Sequence, residues 1–586
     1  MIKKLLATTT LVFAFVLITF AQNSTAGTDF WVGYGHHQFM EQGGNTQQMV
    51  LYIAAGAQAT DVTVTIHNSG IMPSTDWKRT YHILANNTIS TGTTAPLSAY
   101  PTITGAPGTD SWTMPKTGPY DCRLFSVPPT GTGSTGVFQK KAIHIESTQP
   151  VVAYVHIYGS ASSGASLLIP SSNWGYNYRA VNSDQSYASN CFSWMYVVAK
   201  EDSTTFKITT PVPTLAMNQT GLQANVSKLI TLNKGEIYQV LGANMSADTS
   251  GNGGSSSQGY QLTGTLVEVV PNEHNKMHQV AVFCGSSRTS APMSCGSGGG
   301  DNDIQQLIPI EEWGTEYLTA PTSSSVTAST TGSNFYKVMV SDPATVVMRN
   351  GAVLAPSTFN NGYYSFQSST ADYITANQPI LVAQFLSGGL ACLGGGVGDP
   401  EMFYLSPLQK AVKKTLIYKT TMENIAVNYV TLLLPTAALG SLKIDGSPIL
   451  NHQYAHPNMP GYTVAIKRWG PASQSASVIE CDSAFVGITY GLGSVESYGY
   501  NIGYKTTNYI SRTIYHFTGT GNWNDASSWL NGKVPPLVVN AGEEVIIEPS
   551  SGECNFSGNI TVKQGGKLEV KPGKKLNVTG QVIIED

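Results

Sequence analysis

Apolar and polar positions along this chain alternate in short runs, and the period is two almost everywhere. "VTVTIHNSG" (62–70), "TTFKITT" (204–210) and "KLITLNKGEIYQVL" (228–241) place β-branched or aromatic residues on every second position between turn residues, the pattern of half-buried strands. Few windows carry apolar residues at helical spacing; the stretch from Ser406 to Lys414 is the best of them and it is short. The pattern predicts an all-β fold.

One phrase occurs twice. "LLIPSSNWGYNY" (167–178) returns as "QLIPIEEWGTEY" (306–317), and its surroundings recur with it. Upstream lie "KKAIHIESTQPVVAYVHIYGS" (140–160), "NKMHQVAVFCGSS" (275–287), "ITANQPILVAQFLSGG" (374–389) and a fourth passage that closes near Tyr504. These predict four divergent multi-stranded pseudo-repeats, arranged as a propeller-like ring or as packed β-sandwich units. The segment Thr28–Tyr34 reads as the closing strand of a unit, which would offset the copies circularly. Trp174-Gly175 and Trp313-Gly314 read as strand-to-strand corners, a large ring beside a residue free to take positive φ.

After Tyr509 the pattern changes. "GTGNWNDASSWLNGKVPP" (519–536) precedes short β runs separated by Gly-Gly and Pro-Gly, which fits a short β-solenoid whose first rung is capped by Trp523 and Trp529. An open final edge would suit self-association. The expected organisation is a cleaved signal peptide over 1–21, with Lys3 and Lys4 ahead of an apolar stretch, then a four-repeat module over 22–508 and the solenoid segment over 509–586.

Composition narrows the partners. Only 12% of the 586 residues are charged, against ~25% in ordinary soluble proteins, while 41% are apolar and 29 are tyrosine. A net charge of -4, with no Lys/Arg stripe, argues against nucleic acid. No later apolar run is long enough to span a membrane as a helix. Seven cysteines in an exported chain make disulfides plausible and leave at least one thiol unpaired; the expected bridge joins Cys284 to Cys295.

Candidate chemistry is sparse. Gly131 to Gly136 matches a dinucleotide glycine pattern but follows Pro128-Pro129 and enters a strand, so a loop is the better reading. His274 and His278 lack a protease-type Glu, and His36-His37 reads as a strand end. No G-x-S-x-G elbow is present. Two acidic, glycine-rich loops remain, "GSGGGDND" (296–303) and "GGGVGDPE" (394–401), which follow corresponding strands. Asp301, Asp303, Asp399 and Glu401 supply hard oxygen ligands of the kind Ca2+ takes; ordinary solvated turns are the competing reading. Paired carboxylates for glycoside hydrolysis could be built from the same residues.

Together "GTDFWVGY", "AIHIESTQPVVAYVHIYGS…LLIPSSNWGYNY", "VAVFCGSS…C…DIQQLIPIEEWGTEY" and "QPILVAQFLSG…GDPEMFYLSPLQK" resemble the N-terminal domain of the IgGFc-binding proteins. The tail resembles the β-helical segments of bacterial surface proteins exported by type IX secretion. The first resemblance implies extracellular adhesion, with no catalytic residue to carry over and no cofactor. It also implies a Cys-rich patch after the "VFCGS" strand, of which only Cys284 and Cys295 remain. The expected function is a secreted or cell-surface protein that binds glycans or glycoproteins without catalysis. The alternatives are a self-assembling structural subunit and a secreted carbohydrate-active enzyme.

Overall fold

The computed structural model describes residues 24–41, 45–67, 76–85, 88–90, 113–125, 136–159, 161–185, 187–188, 190–216, 221–246, 258–290, 299–388, 392, 396–420, 424–471 and 475–585. The expected signal peptide and most of the 131–136 glycine run lie outside them. The fold is all-β, its sheets antiparallel up to residue 501 and, apart from the antiparallel pairing of Lys276–Met277 with Arg512 and Thr513, parallel in the tail. The helical window at Ser406 closes as a single 3-10 turn, Leu408–Lys410, and the chain then enters the strand Val412–Lys419.

Local pattern and burial agree. In Thr60–Ile66 the side chains of Val62, Val64 and Ile66 are buried while Asp61 faces solvent, so the two-residue period sets one face against the core. Each of four successive sheet assemblies is organised by one strand. In the first, third and fourth units these are Ile143–Tyr158, Tyr373–Leu386 and Ser475–Gly493; in the second the path is broken into Leu266–Val269 and Val280–Thr289.

In the first, third and fourth units an opening strand meets the organiser with the same irregularity, while in the second Asn177–Arg179 pairs with Leu266–Val269 in unbroken register. Gly27 pairs with Val151 and Asp29 with Glu146; Gly314 with Ile380 and Glu316 with Thr375; Val412 with Phe485 and Lys414 with Glu480, with a bulge between the two pairs each time. Gly27–Val32 is therefore an opening strand. The expected circular offset is corrected: the first unit closes with Ser163–Leu167, and chain ends meet through loop contacts such as Thr506 Oγ1 to Ser24 O at 3.1 Å.

The repeated Pro-x-x-x-Trp-Gly phrase is a joint between units. Trp174 Nε1 donates to Ile169 O at 3.1 Å and Trp313 Nε1 to Ile308 O at 3.0 Å, so each indole pins its own turn. Neither Gly175 nor Gly314 has positive φ, contrary to expectation. Their role is close approach: a Cβ on Gly175 would lie 2.3 Å from Pro309 Cβ, and one on Gly314 2.3 Å from Pro407 Cβ. Gly27 and Pro170 repeat the relation at 2.5 Å. The glycine of one unit thus receives the proline that begins the next.

The tail coils. Three parallel ladders of three strands each run Arg512–Phe517 to Glu543–Ile547 to Lys567–Val570, Gly521–Asn522 to Cys554–Phe556 to Leu576–Val578, and Val538–Val539 to Ile560–Val562 to Val582–Ile584. Trp523 and Trp529 are buried at its head, ring centroids 4.9 Å apart, and Trp529 Nε1 donates to Trp523 O at 2.5 Å. The coil is fastened to the second unit, where Lys276–Met277 pairs with Arg512 and Thr513.

Candidate functional site

Each unit ends in an inner strand: Ser163–Leu167, Asp301–Gln306, Glu401–Tyr404 and Glu496–Asn501. The first packs against the second, the second against the third, the third against the fourth, and the fourth against the first, which closes a ring. Equivalent positions follow from the hydrogen bond made just beyond each strand. Leu168 N donates to Ala153 O, Leu307 N to Val282 O, Leu405 N to Val382 O and Ile502 N to Gly487 O, at 2.8 to 3.2 Å.

Counting back from these bonds, one layer of the ring holds Ser162, Asp301, Asp399 and Glu496. Two residues further along each strand, on the same face, are Gly164, Asp303, Glu401 and Tyr498. Asp301, Asp303, Asp399, Glu401 and Glu496 are all 0–1% exposed. The structure therefore joins the two acidic loops at the centre of the ring and adds a fifth acid, Glu496, that the sequence reading missed. The signal for Glu496 was present only as register: "VESYGYN" carries no glycine-rich loop like the other two.

The surroundings treat these carboxyls unequally. Asp301 Oδ1 accepts from Ser163 N and from Asn302 N at 3.0 Å, and Oδ2 accepts from Ser497 N at 3.0 Å. Even so, burial and then the neighbouring Glu496 and Asp399 hold its pKa well above the usual carboxylate range. Burial pushes Asp303 up to about 7 against the hydroxyl of Ser183, and Asp399 up to about 7 against the opposing charge of Arg288. Glu401 is raised by burial, then by Asp303 and Asp301. Asp303 Oδ1, Asp399 Oδ2, Glu401 Oε2 and the Ser162 hydroxyl find no hydrogen-bond partner among the described residues.

Cations stand close but are engaged elsewhere. Arg288 donates to Gly300 O at 2.8 Å and Ala161 O at 2.9 Å, on the rim of the acidic layer. Lys337 donates to Asn182 O at 2.7 Å and Gln261 Oε1 at 2.5 Å. Among the described residues no three His, Cys, Asp or Glu side chains stand converged as a ready-made metal cage.

Other sequence candidates fall outside this centre. Cys284 carries a free thiol, which corrects the expected bridge to Cys295. Its side chain lies in the core beside Tyr404, where burial pushes the thiol up to about 12, so it is neither bridged nor reactive. Cys295 lies outside the described residues, and Cys392 is disulfide-bonded. His278 Nδ1 sits 2.8 Å from Glu201, while His274 is exposed, so the pair does not converge. His36 and His37 are fully buried, and burial lowers His37 to about 3. No helix among the described residues is long and apolar enough to cross a membrane.

A family model described as "IgGFc binding protein" matches residues 164–491, from the first inner strand to the organising strand of the fourth unit. The chain belongs to the IgGFc-binding protein family. Membership marks it as a binding protein of a kind typical of extracellular proteins. No curated protein matches. Among solved structures, a putative beta-galactosidase from Bacteroides fragilis shares 8% identity over 42% of this chain and 45% of its own, with a TM-score of 0.09. The eight N-terminal Ig domains of Down Syndrome Cell Adhesion Molecule isoform 1.30.30 share 10% identity over 86% and 59%, with a TM-score of 0.08. This chain thus spans under two thirds of either protein, and neither superposition carries an argument about fold or function.

Proposed function

We propose that this member of the family is a secreted or cell-surface protein that binds glycans or glycoproteins without turning them over. The observation that carries the reading is the family match over residues 164–491, from the first inner strand through the second and third units to the organising strand of the fourth. A polar cleft of about 390 Å3 supports it, at the junction of the ring with the segment leading to the coil. Asp29, Ser171, Lys200, Glu201 and Tyr509 line this cleft, and carboxylate, ammonium and hydroxyl groups beside an aromatic ring are what sugar hydroxyls and ring faces take. The carbohydrate-active alternative loses its candidate groups, since the acidic residues assigned to it are buried where a polysaccharide does not reach.

The self-assembling alternative keeps one specific support. Val582, Ile583 and Ile584 of the last rung are 46%, 37% and 76% exposed, a strip that a further rung of the same chain or of another copy would cover.

The test is retention of the purified protein on an array of glycans, glycoproteins and whole bacterial envelopes, with released sugar assayed in the same wells. Selective retention without product, weakened by Glu201→Gln with Lys200→Ala, is the expected result. Absence of retention on every surface, together with concentration-dependent growth of the particle in sedimentation, would replace the binding reading with self-assembly.

A further inference from the structure

Two clefts meet at one short strap of chain, the segment 508–511. The polar cleft of about 390 Å3 described above has Tyr509 and Ile510 in its wall. So does a second cleft of about 260 Å3, which Tyr176 lines together with Arg512, Glu543, Glu544 and Lys567 of the coil. Small-ligand sites run to about 300–1,000 Å3, so each cleft stands near or below the low end of that range and suits one or two sugar units. The strap between them is fixed. Tyr509 N donates to Ser172 O at 2.9 Å, the Tyr509 hydroxyl to Glu312 Oε1 at 2.6 Å, Ser511 Oγ to Glu201 Oε1 at 3.1 Å, and the Tyr176 hydroxyl to Ile510 O. Its crest is open, since Ile510 is 58% exposed. On the coil side the wall is low because turns build it: Gly542 and Gly565 sit at φ +79° and +80°, and a Cβ on Gly542 would lie 3.0 Å from Ile510 Cδ1.

Charge is balanced on both sides of the strap. Asp29 and Glu201 share the first cleft with Lys200, and Glu201 also meets His278 Nδ1 at 2.8 Å. In the second, Glu544 pairs with Arg512 and, at 2.8 Å, with Lys567. Neither cleft presents the single-sign field that gathers a polyanion. Mixed donors and acceptors on either side of an apolar crest match a sugar chain, which carries hydroxyls at its edges and C–H faces between them. We infer that the two clefts are halves of one binding groove, and that its ligand is an uncharged polysaccharide chain lying across Tyr509 and Ile510. The inference rests on the glycan-binding reading above and adds to it the form of the ligand, a chain in place of a terminal sugar, and a role for the coil. The pairing of Arg512 and Thr513 with Lys276–Met277 holds the coil side in register with the ring side.

The full chain is titrated by calorimetry with cellulose-, chitin- and mannan-derived fragments, each as disaccharide and octasaccharide, and with a heparin-derived octasaccharide as the charged probe. At least one neutral octasaccharide is expected to bind about thirtyfold or more above its disaccharide, beyond the several-fold that extra registers along a longer chain supply. Ile510→Ala should weaken octasaccharide binding about three- to tenfold. Lys567→Ala should bring the octasaccharide affinity down towards that of the disaccharide. Both side chains are more than half exposed, so the variants are expected to fold, and the wild-type length series stands without them. If octasaccharide and disaccharide differ only by the register factor, or if both variants bind the octasaccharide as wild type does, the groove is not continuous and the inference fails while the glycan-binding reading stands. Preference for the heparin fragment overturns the uncharged chain. Retention on the glycan array with no neutral octasaccharide bound overturns the inference alone; absence of both removes the glycan-binding reading and the inference with it.

Discussion

The ring and the coil handle charge in opposite ways. In the coil the buried cluster of Phe517, Trp523, Trp529, Val545, Ile547, Phe556 and their neighbours is wholly apolar. Its charges are matched in pairs, on the outside Lys567 to Glu569 at 2.7 Å, Lys571 to Glu569 at 2.5 Å and Lys575 to Glu553 at 2.6 Å, and its one buried carboxylate among the described residues, Glu544, pairs with Arg512 and Lys567. The ring instead carries five carboxyls at its centre, with Arg288 on backbone and amide acceptors and Lys337 shared between the Asn182 carbonyl, the Gln261 amide and Asp184 at 3.3 Å. The coil's polar groups are accounted for by solubility and strand register. Those of the ring are raised acids, held so by burial and by one another, and strongly perturbed buried groups are where function is to be sought.

If the contrast is sound, truncating the coil's apolar head should have the largest effect and leave the ring standing. Trp523→Ala is expected to destabilise the coil by about 3–5 kcal/mol, the usual range for deleting a buried Trp side chain. Calorimetry should then separate an early coil transition from an unchanged ring transition. A single transition moving as one would mean that the Lys276–Met277 strand couples the two into one cooperative unit.

The ring's acids predict an unusual pH dependence. Asp303 and Asp399 are raised to about 7 in the folded protein, above the range they have when unfolded. Between these values the folded form holds protons that the unfolded form has released, so stability is highest on the acid side and is lost as pH rises through about 7. Chemical denaturation at several pH values measures this. Asp399→Asn should flatten the curve, and a wild-type curve rising across the same window would contradict the burial of these groups.

A smaller effect should come from the unit joints. Gly314→Ala drives a methyl into Pro407 and is expected to cost about 1–3 kcal/mol through forced displacement. The same change at Gly351, where a Cβ meets nothing within 4 Å, tests φ alone, since that residue sits at +81°. A Gly314→Ala protein as stable as wild type would remove the joint as an explanation of the repeated phrase. Least of all should follow from Glu569→Gln on the coil. Lys567 and Lys571 hold this carboxyl down to about 2, yet the group lies on the surface of the coil, so its loss should register only as a weak change that vanishes in high salt.

Much of the fold was legible because strands announce themselves locally. Alternation in "TDVTVTI" fixes which side chains enter the core whatever the strand pairs with. The two Trp-Gly phrases were legible as structural for the same reason, since indole and turn lie within six residues of each other. The reason for the glycine was not, because its contact, the proline of the next unit, is more than ninety residues away in both copies. Cys284 was misread because a nearby cysteine in sequence says nothing about the direction of a strand side chain, and this one points inward to Tyr404.

What the sequence settled by itself was the β class, the recurrence of one strand set, the turn to a coil after Tyr509 and the family. What the tertiary structure decided was which acids meet. Asp301, Asp399 and Glu496 lie about a hundred residues apart, and no local rule equates them. Only ring closure, with each inner strand in a register fixed by its organising strand, brings them into one buried layer, and burial there turns carboxyls that would have been ordinary surface groups into raised, competing acids.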